Sequence, residues 1–419
     1  MSSLTLLSAR YVYPVSAAPI VDGAVVVEGE RILAAGAAAG LAAQYPGARR
    51  VDLGDAALLP AAVNAHTHLE LTALEEALPA DLEMAQWILA LMRARGALDE
   101  NALRASAAEG VRRSLASGVA AVGEICSAGQ SVGPIVESGL RGIVYYELIS
   151  GDPARADETL ARGRAQLDRW RAEYPDAQVR FGISLHAPYT VSAPLFERAA
   201  AWARAEGVPV SIHAAESLAE TAWLRDRSGP IRETLYATLG LPADLEPAAA
   251  RSPMRYLSER GALGPRTLLA HGVQVDTGDL ALVADSGAAV AHCPRSNTRL
   301  RNGRMPWAAY RAAGVRLALG TDSLASSPSL SVWDEAAYAA ELHTQAGEPP
   351  TPAELLWLAT LGGADALDLA HELGSLEPGK LARFASATLA GLDDASRATA
   401  EATLAAVMAG QAELHAVRV

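Results

Sequence analysis

Lysine is almost missing from this chain: Lys380 is the one example among 419 residues, and every other basic side chain is arginine. No lysine is left in the central part of the chain to form a Schiff base, or to be carbamylated and bridge two metal ions. Lys380 itself lies in Glu377-Pro378-Gly379-Lys380-Leu381, which lacks the glycine spacing of a phosphate-binding loop. Cysteine is as scarce, with only Cys126 and Cys293, so no disulfide framework is indicated and a reducing compartment fits. Positive charge is in deficit. A formal net charge of −13 argues against nucleic acid or an anionic membrane surface as a partner. There is no run of 18 apolar residues to span a bilayer. Residues 1–30 lack the basic start and apolar core of a signal peptide. The cytoplasm is therefore the expected location, and a small molecule the expected partner.

Half of the residues are hydrophobic, enough for a large buried core. Residues 1–55 alternate short β-like pieces with Gly, Pro and Ser, and read as part of a small β module. Residues 56–370 alternate strands and helices. Strands are expected near 57–63, 119–125, 141–147, 179–185, 208–213, 267–271, 288–292 and 315–321. Helical patterns lie between, for example at 99–117, 155–173, 193–206, 276–286 and 331–344. Eight such repeats predict a (β/α)8 barrel. Residues 371–419 return to short alternating pieces, with 412–419 as a candidate last strand. The expected architecture is a barrel with a small β-sandwich domain built from both termini. The stretch 228–262 is long for a βα connection, as a lid or a surface excursion would be.

His66-Thr67-His68 follows the apolar stretch 56–63, and two imidazoles at i and i+2 share one side of an extended chain. The rest of a metal site follows in order. His213 closes Val208-Pro209-Val210-Ser211-Ile212, His271 closes Thr267-Leu268-Leu269-Ala270, and Asp322 closes the run 315–321. In an α/β barrel, catalytic groups sit at the C-terminal ends of the strands, and all five meet that condition. His66, His68, His213 and Asp322 make an N3O set that suits Zn2+ and tolerates Fe2+ or Mn2+. Such an ion makes hydroxide available near neutral pH. Asp322 is placed both to ligate and to take the water's proton, and His271 to orient the water. Glu216, three residues past His213, is the candidate proton shuttle to a ring nitrogen.

These pieces resemble the amidohydrolase superfamily, in its mononuclear deaminase and chlorohydrolase branch. The resemblance rests on Asn64-Ala65-His66-Thr67-His68, His186-Ala187-Pro188-Tyr189, His213-Ala214-Ala215-Glu216, His271-Gly272, His292-Cys293-Pro294-Arg295-Ser296-Asn297 and Gly320-Thr321-Asp322-Ser323. It implies one metal ion per chain and hydrolytic deamination of an aminated N-heterocycle. It also implies that His186 reaches the substrate, while His292 reads as structural. Leu69-Glu70-Leu71-Thr72 and the run 216–224 are similar to the branch that acts on 6-aminodeoxyfutalosine in menaquinone synthesis. Glu70 is then expected to accept hydrogen bonds from ribose hydroxyls, and Arg225 or Arg227 to meet a distal carboxylate. The alternatives are another aminohydrolase (of adenosine, S-adenosylhomocysteine or guanine) or an s-triazine chlorohydrolase on the same metal site. A non-catalytic binding protein would be expected to have lost ligands.

Overall fold

The structure, a computed structural model, describes residues 4–79, 82–246 and 248–417. The chain divides into two compact units. One comprises Met1–Asn64, Arg113–Ala121 and Ser331–Val419, the other Ala65–Arg112 and Val122–Leu330.

The small β module is one mixed sheet drawn from both ends of the chain. Its strands are β1 (Leu4–Val12), β2 (Ile20–Glu28), β3 (Arg31–Ala37), β4 (Arg49–Asp52) and β5 (Ala56–Pro60), joined by two late strands, Phe384–Thr388 and Leu414–Val417. Residues 418–419 of the expected last strand lie outside the described residues. β1 pairs antiparallel with β2 and parallel with β4 and β5. Both faces of this sheet are apolar. Leu7, Val25, Val27 and Phe384 pack on one side, and Leu6, Ala24, Val26 and Leu41 on the other. That is the period-2 alternation of a strand with apolar residues at both parities.

The eight barrel strands are β6 (Ala62–Thr67), β7 (Val119–Cys126), β8 (Arg141–Leu148), β9 (Val179–Leu185), β10 (Val210–Ala214), β11 (Thr267–His271), β12 (Ala289–His292) and β13 (Arg316–Leu319). They lie side by side in chain order. β6, β7, β10, β11 and β12 are buried at every position, as strands of a parallel sheet covered on both faces must be. Helices link them, with punctuation legible in the sequence. Ala193–Glu206 has Pro194 in its first turn and ends at Gly207 with φ 66°. Thr277–Ser286 starts with a reciprocal capping box between Asp276 and Asp279. The five expected helices all form, with ends shifted by at most a residue or two.

One strand expectation is corrected. The apolar run 57–63 is not one strand. Pro60 pairs with Phe384 in the small sheet, whereas the amide of Ala62 donates to Gly118 O at 2.9 Å beside β7. The chain changes sheets at Ala61, so the first barrel strand runs on to Thr67 and carries His66 within it. The last strand stops at Leu319, which leaves Asp322 in the turn beyond. The stretch 228–262 carries a helical turn over Ile231–Tyr236 and the helix Pro253–Glu259. The Tyr236 hydroxyl ties it down by donating to Tyr189 O at 2.7 Å. Among the described residues, no helix is long and apolar enough to cross a membrane.

Candidate metal centre

The first barrel strand and the turn after the last one meet at Thr67 and Asp322, which form an isolated parallel bridge. The Asp322 amide donates to His66 O at 3.0 Å, and the Thr67 hydroxyl to Asp322 O at 3.1 Å. Asp322 has φ 57° and His271 φ 76°, left-handed values that bulky residues avoid. Each costs roughly 1–2 kcal/mol and turns a side chain from the strand end into the barrel mouth. Gly320 makes the approach possible, because a Cβ there would stand 2.8 Å from His66 Cβ.

Four side-chain atoms converge at this closure. His66 Nε2 lies 3.6 Å and His68 Nε2 3.3 Å from Asp322 Oδ1, and His213 Nε2 lies 3.3 Å from His68 Nε2. The donor set passes a test of fit for a metal ion. At a Zn–N distance of about 2.0–2.1 Å, ligand atoms at the corners of a tetrahedron stand about 3.3–3.4 Å apart. His66 is fully buried, yet neither of its ring nitrogens has a hydrogen-bond partner; a buried polar pair left so is costly unless something else binds it. The ring of His213 is in the right tautomer. Nδ1 lies 3.0 Å from His186 O, a carbonyl that can only accept, so Nδ1 carries the proton and Nε2 presents its lone pair. Burial lowers the pKa of His66, lowers that of His68 to about 4 and depresses that of His213 strongly, so all three are neutral ligands at pH 7. Burial alone would raise the Asp322 carboxyl, but the closeness of the His66 ring and of the other histidines holds it well below its usual range. The Ser296 and Ser326 hydroxyls donate to Oδ2 at 2.6 and 2.7 Å, which leaves Oδ1 facing the imidazoles.

Glu216 and His271 stand beside this cluster. Burial pushes the Glu216 carboxyl up to about 6. Its Oε1 accepts from Asn302 Nδ2 at 2.9 Å and lies 3.7 Å from His271 Nε2. His271 Nδ1 lies 2.9 Å from Asn297 Oδ1, which leaves Nε2 on the open side. Glu220, a residue not singled out in the sequence, accepts the amides of Ala215 and Glu216 at 3.1 and 2.9 Å. It thereby sets the turn, with Ala215 at φ 52°, that aims Glu216.

The other sequence candidates separate. His186 joins the centre, its ring centroid 5.0 Å from that of His213. Glu70 is 1% exposed, and its carboxylate is occupied by the loop after β7: Ser127 N at 3.1 Å, Ala128 N at 2.8 Å, Gln130 N at 2.6 Å and Cys126 Sγ at 3.3 Å. His292 is buried at the end of β12, where its carbonyl accepts from Gly320 N at 3.0 Å. Arg225 pairs with Asp226 on the surface, and the Arg227 guanidinium lies 4.5 Å over the Trp223 ring. The sequence reading passed over Ser296, Asn297, Asn302, Ser326 and Glu147. Glu147 carried a signal, since it ends the expected strand 141–147 just as the histidines end theirs.

The amidohydrolase family profile matches residues 57–409. The chain belongs to the amidohydrolase family. It is 40% identical over 329 residues to an aminodeoxyfutalosine deaminase from Deinococcus radiodurans, covering 77% of this chain and 76% of that one. It is 32% identical over 368 residues to a 5-methylthioadenosine/S-adenosylhomocysteine deaminase from Nitratidesulfovibrio vulgaris, covering 86% and 77%. Among solved structures, an adenosine deaminase from Xanthomonas campestris with bound zinc superposes with a TM-score of 0.80 at 28% identity, over 96% of this chain and 88% of that one.

Proposed function

We propose that this amidohydrolase is a zinc-dependent hydrolytic deaminase of an adenine-type nucleoside, with 6-aminodeoxyfutalosine as its substrate and menaquinone synthesis as its pathway. The observation that carries the chemistry is a carboxyl group with a pKa near neutrality, Glu216, set beside a four-atom cation site and His271. The relative at 40% identity supports the substrate.

In this reading His66, His68, His213 and Asp322 hold the cation, which when bound supplies a Lewis acid that acidifies water near neutral pH. Zinc is favoured by three neutral imidazoles with one carboxylate, and the zinc-bound structural relative supports it. His271, with its proton held on Nδ1 by Asn297, offers the Nε2 lone pair to orient the attacking water. Ionised Glu216 takes a proton from that water and passes it to the ring nitrogen next to C6, which makes C6 the electrophile. Oxygen adds to C6, Glu216, ionised again, moves the proton left on that oxygen to the amine, the C6–N bond breaks to release ammonia, and the ring becomes hypoxanthine-like. Asn302 keeps Glu216 turned toward the reacting atoms.

A second reading, deamination of methylthioadenosine or S-adenosylhomocysteine, is favoured by the relatives at 32% identity. Ammonia release and the purine ultraviolet shift, measured with zinc-loaded protein on 6-aminodeoxyfutalosine, methylthioadenosine, S-adenosylhomocysteine, adenosine, guanine and cytosine, decide between them. A kcat/KM at least tenfold higher on the first substrate is expected. Preference for a thioether nucleoside would transfer the assignment, and no ammonia from any of them would remove it.

A further inference from the structure

Beside the metal cluster, and sharing His213 with it, stand two acceptors that the deamination chemistry leaves unused, Glu147 and His186. Glu147 lies near the C-terminal end of β8, His186 just past the end of β9 and His213 on β10. One ligating atom of each lies within 4.8 Å of the other two. Glu147 is half-buried, whereas Glu70 is sealed from solvent.

The protons in this group can be followed. The Thr190 hydroxyl donates to Ala187 O at 3.2 Å and lies 2.6 Å from His186 Nδ1. With that hydroxyl's one proton committed, Nδ1 is the donor and His186 Nε2 keeps its lone pair. Across from it, Glu147 Oε2 accepts from the Ser127 hydroxyl at 2.6 Å, which fixes the plane of the carboxylate and leaves Oε1 as a second acceptor. Ser127 is itself held from below, because its amide donates to Glu70. Glu70 thus acts through the loop and Ser127 on Glu147.

A neutral imidazole nitrogen and a carboxylate oxygen a few ångströms apart are both acceptors. They repel an anion and suit a neutral group that offers two donors side by side. A vicinal diol does so, one hydroxyl to each acceptor. On the reading of the site as a nucleoside deaminase, the ribose of the substrate carries that diol. We propose that Glu147, paired with His186, is the residue that binds the ribose hydroxyls and so selects ribonucleosides over deoxynucleosides. The role expected for Glu70 from the sequence passes to Glu147, and Glu70 becomes a positioning residue.

The test compares adenosine with 2′-deoxyadenosine and 3′-deoxyadenosine as substrates of the zinc-loaded wild type and of Glu147→Ala, Glu147→Gln and Ser127→Ala. Losing a hydrogen bond to a charged group corresponds to a factor of about 10–100. The wild type is expected to prefer adenosine over one of the deoxynucleosides by that factor. In Glu147→Ala the preference should collapse toward unity, with the loss of kcat/KM lying mainly in KM and zinc content remaining at one per chain. Ser127→Ala should lower the preference part-way, and Glu147→Gln, which keeps one acceptor oxygen, should retain part of it. If Glu147→Ala does not fold, Glu147→Gln and Ser127→Ala decide. Undiminished discrimination in the folded variants overturns the assignment, and so does a wild type that deaminates all three nucleosides equally. A wild type that deaminates neither these three nucleosides nor 6-aminodeoxyfutalosine overturns the proposed function instead, and one that accepts 6-aminodeoxyfutalosine alone is tested by the same variants on that substrate and its 2′-deoxy analogue.

Discussion

The amide of Asp322 donates to the carbonyl of His66 at 3.0 Å, while the side chains of the same two residues face each other with 3.6 Å between Oδ1 and Nε2. One residue pair thus closes the barrel through its backbone and, in the proposed cation site, offers two donor atoms through its side chains. Binding at the centre and closure of the β6–β13 seam are the same contact, so each stabilises the other.

Removing the metal should therefore loosen the barrel itself. A ligand at a thousand times its Kd stabilises the folded state by about 4 kcal/mol. Chelation is expected to lower Tm by several degrees, and readdition of zinc to restore it. Hydrogen exchange at the amide of Asp322 should speed up in the metal-free protein. Identical melting with and without bound zinc would contradict the coupling.

Glu216→Gln should keep zinc and lose turnover by a factor of about 100–10,000, the usual range for a positioned proton-transfer group. The wild-type kcat/KM is expected to fall as pH drops through about 6, because the carboxylate must be ionised to collect a proton. The variant's residual rate should lack that acidic limb. A variant with near-normal activity would take Glu216 out of proton transfer.

Glu70→Ala should act on the loop before it acts on the substrate. The carboxylate accepts three backbone amides, and bonds to a charged acceptor contribute about 1.5–3 kcal/mol each. A loss of about 4.5 kcal/mol or more in unfolding free energy is expected from chemical denaturation, together with a raised KM that follows from the misplacement of Ser127. A raised KM with unchanged stability would instead return Glu70 to direct substrate contact.

The stability of the protein should carry a signature of Glu220. Burial raises its carboxyl to about 8, above the ordinary value of 4.5. A raised carboxyl favours the folded state fully below pH 4.5, and that contribution is lost as pH rises toward 8. Unfolding free energy measured between pH 5 and 8 should decline more steeply in the wild type than in Glu220→Gln, which cannot ionise. Parallel slopes would mean that Glu220 is ionised throughout.

The side chains proposed to hold the metal stood out in the sequence because of where they stand. Each follows an apolar run, and strand ends are where a parallel barrel gathers its polar groups. Glu147 meets the same criterion, but a lone carboxylate at a strand end has the same sequence pattern as a solvated surface group. The contacts of Glu70 differ from the expectation for a different reason. Its position next to His68 suggests the pocket, but the short helical turn Leu69–Leu74 carries its carboxylate under the loop after β7. The split of the run 57–63 between two sheets was marked only by Pro60, the last residue of β5, because Ala and Leu serve either sheet equally while proline lacks the amide a continuous strand needs.

The sequence by itself determined the barrel, the small module at its ends, and the identity of the groups able to bind a metal, because hydrophobic periodicity and side-chain chemistry are local properties. Only the tertiary structure decided which acceptors stay open. Tautomers are set by His186 O and Asn297, the free oxygen of Asp322 by Ser296 and Ser326, and the orientation of Glu216 by Asn302. Those partners lie between 4 and 86 residues away in the chain. A hydrogen bond depends on separation in space to within a few tenths of an ångström, and most of these pairs meet only once the barrel has closed.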